Sequence, residues 1–328
     1  MSTVAMKMPA AAGLMCADQA VLLARVRVSP LPFTHSAGAF YKQKSISRES
    51  VFFFVDSKFP NYFIKGNGMK EVHFVMQGKG GVGKSFSATH LAQFFQENAA
   101  SDEKIYCYDT DSVNQTLARY RNLNARVINI LNEHEDVDVS RFDELMEEFL
   151  TKDGVAVIDS GSSTFLPLMT YFRDAEVLSV FAEAGIRVVL HVIIAGGAEA
   201  EDTTTVLSQI VSTLPADLVL WKNEHFGEYL LPNGVTLEKS AVFKKGEKKI
   251  IGVVHLPKRK YDLFGKVTEA MTKQGLTYAE AMNAGTFNAM ERQRLLIIKR
   301  GIFSQLQTLL LPGIPENGAN THASDTKQ

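Results

Sequence analysis

Apolar residues along this chain fall into two alternating kinds of run. Short continuous stretches at 72–76, 105–108, 155–158, 187–195, 218–221 and 253–256 have the length and β-branching of buried strands. Between them, apolar positions recur at helical spacing. Ala88, Leu91, Ala92 and Phe95 form one such face, and Phe142, Leu145, Met146, Phe149 and Leu150 form another. The second helix is expected to begin at Ser140, its side chain capping while Asp143 reaches back. Residues 164–184 read as one longer helix with Pro167 in its first turn, where proline is tolerated. Residues 201–214 read as a helix that ends at Pro215. From Met69 to about residue 275 the alternation predicts an α/β fold, a doubly wound and mostly parallel sheet with helices on both faces.

The ends do not share this pattern. Residues 1–68 carry eight Lys/Arg against three Asp/Glu, with scattered Ser and Pro and an isolated run at 51–55. Met69 stands immediately before the first strand, so this segment reads as a disordered or mis-started extension. A targeting peptide is the rival, since such segments are basic and acid-poor, but no tidy apolar region with a small-residue cleavage site is visible. Residues 313–328 have the composition of a disordered tail. The folded domain proper is expected over 69–312.

Composition narrows the class only a little. The chain has 328 residues, 45% hydrophobic and 22% charged, with a formal net charge of −1. No apolar run approaches the ~18 residues of a membrane-spanning helix. Cys16 and Cys107 are the only cysteines, and the eight histidines show no ligand spacing; neither a disulfide framework nor a zinc site is expected.

The chemistry lies between the first strand and the first helix. Gly78-Lys79-Gly80-Gly81-Val82-Gly83-Lys84-Ser85 satisfies the spacing of a phosphate-binding P-loop in the required strand–loop–helix setting. Glycines let backbone N–H groups turn inward, Lys84 reaches the β- and γ-phosphates, and Ser85 offers its hydroxyl to Mg2+. The helix that follows points its positive end at the anion. The nucleotide-contacting stretch is expected to run from Gly78 through Ser85 to Phe86, and the implied ligands are ATP and Mg2+.

Lys79 inside this loop makes it resemble the deviant Walker A motif of the ParA/MinD superfamily. The resemblance implies an ATP-dependent homodimer in which Lys79 reaches the partner subunit's nucleotide. Asp109-Thr110-Asp111, ending the second strand, resembles switch I; Asp109 would support the Mg2+ shell and Asp111 orient the attacking water. The family usually continues with proline, whereas Ser112, Val113 and Asn114 follow here. Both aspartates also read as the cap and first turn of a helix. Asp159-Ser160-Gly161 resembles Walker B with switch II, placing Asp159 at the metal. Asn223 and Pro257, after the last two strands, are candidates for contact with the base; a turn asparagine and an ordinary loop proline are equally good readings.

Two surface features remain open. Residues 287–311 form a helix with a stripe of Leu295, Ile298, Ile302, Leu306 and Leu309. In MinD-like relatives a C-terminal amphipathic helix binds a membrane surface. Sparse lysine beyond Arg300 and the run Leu309-Leu310-Leu311 favour packing against protein instead. Lys244, Lys245, Lys248 and Lys249, with Lys258, Arg259 and Lys260, offer a surface for nonspecific DNA, although Gly246 and Glu247 interrupt the first group and make it read equally as a solvated turn.

Glu71-Val-His-Phe-Val-Met-Gln77 together with Asp109-Thr-Asp-Ser-Val-Asn114 is similar to the TraL proteins of conjugative plasmids. That resemblance implies a cytoplasmic ATPase tied to conjugal DNA transfer, with a protein partner in the transfer apparatus. The alternatives are a plasmid-partition or protein-positioning ATPase, and a nucleotide-bound scaffold of negligible turnover.

Overall fold

The computed structural model describes residues 68–311 apart from 112, 133, 135–137, 139 and 233; the expectations for the N-terminal extension and the tail lie outside them. Seven strands make one sheet: β1 (Glu71–Met76), β2 (Ile105–Asp109), β3 (Arg126–Val127), β4 (Val155–Asp159), β5 (Arg187–Ala195), β6 (Asp217–Asn223) and β7 (Ile250–Leu256). Their order is β3-β2-β4-β1-β5-β6-β7. Every pairing is parallel, with β1 in the centre between β4 and β5.

Strand periodicity divides the core in two. Val72, Phe74 and Met76 of β1 face one apolar cluster, which also holds Phe142 and Phe149 of helix α2 (Ser140–Thr151) and Leu207 and Ile210 from residues 200–213. Val75 faces the other, among Leu91 and Phe94 of α1 (Lys84–Asn98). A strand covered on both faces is apolar at nearly every position, which is why these runs show no polar alternation, buried His73 and His191 being the exceptions.

The expected single helix over 164–184 is instead two, α3 (Phe165–Asp174) and α4 (Val177–Glu183). Glu176 between them has φ 49°, a left-handed conformation that interrupts the hydrogen-bond ladder. The expected cap of α2 also differs. Asp138 accepts from the Ser140 amide at 3.0 Å and its hydroxyl at 2.6 Å, while Asp143 accepts from the Tyr171 hydroxyl at 2.6 Å. The remaining helices are α5 (Ala200–Thr213), α6 (Ala241–Gly246), α7 (Lys266–Lys273), α8 (Tyr278–Asn283) and α9 (Ala289–Leu310).

Helix α9 starts at a capping box, in which Asn288 and Glu291 satisfy each other's backbone amides. It packs on α1, β7, α7 and α8. Leu295, Ile298, Ile302 and Leu306 of the expected stripe are buried in the second cluster, Leu309 packs against it partly buried, and Leu310 is buried as well, so the stripe is spent inside the fold. Among the described residues no helix is long and apolar enough to cross a membrane.

One polar chain runs through the second cluster. Trp221 Nε1 can only donate, and it does so to His191 Nδ1 at 2.9 Å. His191 Nε2 therefore carries the proton and donates to His73 Nδ1 at 3.0 Å. His73 Nε2 then donates to Glu71 at 3.1 Å. Burial lowers both imidazoles below their ordinary range, with Glu71 opposing the shift at His73, and this keeps the neutral tautomers that the chain requires.

Candidate functional site

Sheet order brings the motifs to one edge. The P-loop leaves the carboxyl end of central β1, and β4 beside it ends at Asp159, which pairs in register with both Val75 and Asp109. Ligands of open parallel sheets bind at such carboxyl ends. The loop needs glycine at its turns: Gly81 has φ 75° and Gly83 has φ 105°, values that side chains with a Cβ rarely adopt. Gly83 serves as the N-cap of α1 and has no capping side chain, so the first amides of that helix stay available to an anion.

Lys84 folds back over the loop. Its ammonium donates to the Lys79 carbonyl at 3.0 Å and to the Ser162 hydroxyl at 2.6 Å, and the residue is only 7% exposed. Burial lowers its pKa, while Asp159 and Asp111 pull the other way. Ser162 carries no motif signature; its signal was its place just after Gly161.

Asp159 is the unusual group. It is buried, and neither carboxylate oxygen meets a hydrogen-bond donor among the described residues. Burial raises its pKa to about 7, with Asp109 and Asp111 adding to the rise; the Ser85 hydroxyl, near but not in hydrogen-bonding geometry, and the Lys84 ammonium oppose it. A buried carboxylate without donors is costly unless a cation completes it. No group of three or more His, Cys, Asp or Glu among the described residues is arranged as a metal cage. Mg2+, however, takes one or two carboxylates and completes its shell with phosphate oxygens and water. The residues present fit that ion.

The two aspartates of β2's end differ in their duties. Asp109 accepts the amides of Asp111 and Ala118, both at 3.1 Å, and burial raises its pKa against those two hydrogen bonds. It clamps the following loop and retains lone pairs for a hydrated ion. Asp111 accepts the amides of Val113 and Asn114, each at 3.0 Å, in the turn-capping manner that the sequence left open. It also packs on Gly161, where an added Cβ would stand 3.2 Å from the Asp111 carboxyl carbon.

Lys79 pairs with Asp202 at 2.7 Å and Glu199 at 2.8 Å. Asp202 and Glu199 together raise its pKa. Asn223 donates to the Val82 carbonyl at 2.9 Å and accepts the His225 amide at 3.1 Å; both ends of the side chain therefore brace backbone. Pro257 is exposed just beyond β7, whose last residue Leu256 pairs with Asn223. Gln77, which the sequence reading missed, is buried; it donates to the Ile193 carbonyl at 2.6 Å and accepts the Lys79 amide at 3.3 Å. Phe86 is partly buried on the first turn of α1, stacked at 4.1 Å on His90.

Parallel sheet, central P-loop, intraloop lysine and facing carboxylates define a P-loop NTPase fold of the ParA/MinD type. No protein-family model matches the chain. Two proteins named Protein TraL from Escherichia coli are 33% and 34% identical to it over 241 residues, covering 73% of this chain and 98% of each relative. The chain belongs to the TraL family. Among solved structures it is similar to the MinD cell division protein of Aquifex aeolicus, with 12% identity, TM-score 0.38, and coverage of 70% of this chain and 97% of that one. A plasmid partition protein from Borrelia burgdorferi gives 15% identity, TM-score 0.33, and coverage of 62% and 97%. The fold assignment rests on the strand order and the loop, not on these two likenesses.

Proposed function

We propose that this protein is an ATP-hydrolysing switch of a bacterial conjugative DNA-transfer system, acting in the cytoplasm. On ATP it pairs with a second copy and engages a protein partner of the transfer apparatus, and after hydrolysis it lets that partner go. The observation that carries this reading is the buried, donorless carboxylate of Asp159 facing a P-loop whose Lys84 is already folded over it. Backbone amides from Gly78 to Phe86 would cradle the phosphates, with Lys84 at the β- and γ-oxygens. Ser85, Asp109 and Asp159 would hold Mg2+, which neutralises charge on the phosphates when bound. Asp111, against Gly161, would orient the attacking water. Lys79 of the partner copy would stabilise charge on the transferring phosphoryl group. Pro257 would lie beside the base, while Asn223 would brace the loop.

The positioning and partition readings are less well supported. The stripe of α9 is buried, so it offers no face to a membrane. Two of the clustered lysines have tasks within the chain: Lys249 donates to the Val211 and Leu214 carbonyls at the end of α5, and Lys245 to the Ser212 hydroxyl. Turnover without a partner should be slow, as where a regulator completes the site. The test is basal ATP hydrolysis by the full chain and by Lys79→Ala and Asp111→Ala. Loss in both supports the switch; unchanged turnover in both removes it and leaves a scaffold that holds ATP as structural glue.

A further inference from the structure

The geometry points to a latch. Glu199 and Asp202 hold Lys79 on its own subunit, and pairing of two copies must exchange this contact for that of Lys79 with the partner's nucleotide. The inference rests on the nucleotide-switch reading and names how that switch is restrained.

Three observations carry it. The first is the double ion pair itself, 2.7 Å to Asp202 and 2.8 Å to Glu199, which spends the charge of Lys79 inside one chain. The second is that both partners of the pair stand on fixed ground. The Lys79 amide is held by Gln77, whose own amide is fastened to Ile193 of β5. The acids follow directly from β5 through Gly196-Gly197. Those two residues are locked to the end of β6 and the loop after it, with Gly196 N donating to the Asn223 carbonyl at 2.9 Å and Gly197 N to the Glu228 carbonyl at 3.0 Å. The approach is so close that a Cβ at Gly197 would stand 2.5 Å from the Phe226 carbonyl oxygen. The third is that the same end of β6 grips the P-loop, through Asn223 and Val82. Lysine and acids are therefore mounted on one stiff frame, and the pair needs little ordering to form.

A simpler role exists for acids here, because carboxylates at a helix N-terminus complement its dipole. Glu199, Glu201 and Asp202 all serve that purpose at the start of α5. It does not account for two of them converging on the loop lysine. The pair is also partly open, with Lys79 38% and Asp202 60% exposed. Exposed ion pairs are weak and screened by salt. A weak pair suits a latch, since one that held strongly would block the switch.

The test uses the full chain and the variant Glu199→Gln/Asp202→Asn, with Asp202→Asn alone as a second variant should the double change disturb α5. Two readouts are taken. One, without nucleotide, is the rate at which an amine-reactive reagent modifies Lys79, measured by mass spectrometry with exposed Lys244 as internal reference. The other is the protein concentration at which ATP and Mg2+ produce dimers, measured by sedimentation. The expected results are faster modification of Lys79 and dimerisation at a concentration roughly two- to tenfold lower. Unchanged modification overturns the cis pair. Faster modification with dimerisation unchanged or weakened shows that the pair does not restrain assembly, and overturns the latch while leaving the switch standing. Wild-type protein that never dimerises with ATP overturns the switch reading and the latch with it.

Discussion

The side-chain amide of Asn223 donates to the carbonyl of Val82 across 141 residues of sequence, at 2.9 Å. This bond ties the end of β6 to the P-loop and gives Asn223 a bracing role where base contact was expected. The two roles differ in what they do to nucleotide choice. Asn223→Ala should weaken ATP and GTP alike, by about tenfold for one lost hydrogen bond. Competition titrations with both nucleotides decide. Loss confined to ATP would return Asn223 to the base.

Asp159 sets stability against function. Its carboxyl is raised from 3.8 to about 7 by burial. A raised acid stabilises the fold below its unfolded value, and that advantage is lost as pH rises from about 4 to about 7. Above pH 7 the charged group is a full burden. Asp159→Asn should therefore stabilise the metal-free protein at pH 8 by up to about 4 kcal/mol, with the gain fading toward pH 4. The same variant should lose any rise in melting temperature that Mg2+ and ATP give together. Melting curves at pH 8 and pH 5, with and without Mg2+ and ATP, measure both effects. A variant less stable at pH 8 that still responds to Mg2+ and ATP would contradict the assignment.

The hydrogen-bond chain from Trp221 to Glu71 has a fixed direction, so removing its first donor orphans His191 Nδ1. Trp221→Phe should cost about 1–3 kcal/mol for the unpaired acceptor, besides the lost ring contacts. Urea unfolding at pH 8 gives the number. The imidazoles themselves carry a pH signature. Burial lowers His73 and His191 from 6.5, so the stability they permit is present above pH 6.5 and declines as the unfolded chain takes up protons below it. Wild-type stability in the phenylalanine variant would show that the chain contributes nothing.

Much of this was legible from the sequence because it is local. The P-loop spacing, the aspartates at strand ends and the largely apolar strand runs each lie within a few residues. What was not legible joins distant segments. Ser162 meets Lys84 from 78 residues away, and Asp202 meets Lys79 from 123. Nothing in the spacing of Gly78 to Ser85 forecasts either contact. The division of 164–184 at Glu176 escaped for a different reason. Apolar residues are dense on both sides of the break, and only a shift of phase, the five-residue step from Phe172 to Val177, marks the glutamate with positive φ between them. The stripe of α9 was read correctly as apolar, but its destination depended on which neighbour covers it.

A calorimetric titration of the full chain with ATP in excess Mg2+, repeated on Lys84→Ala, bears on all of this at once. The expected result is saturable heat for the wild type, with affinity weakened at least about thirtyfold when the ammonium is removed. Equal isotherms for the two proteins, or no heat from either, would mean that the loop opening at Gly78 does not hold a nucleotide.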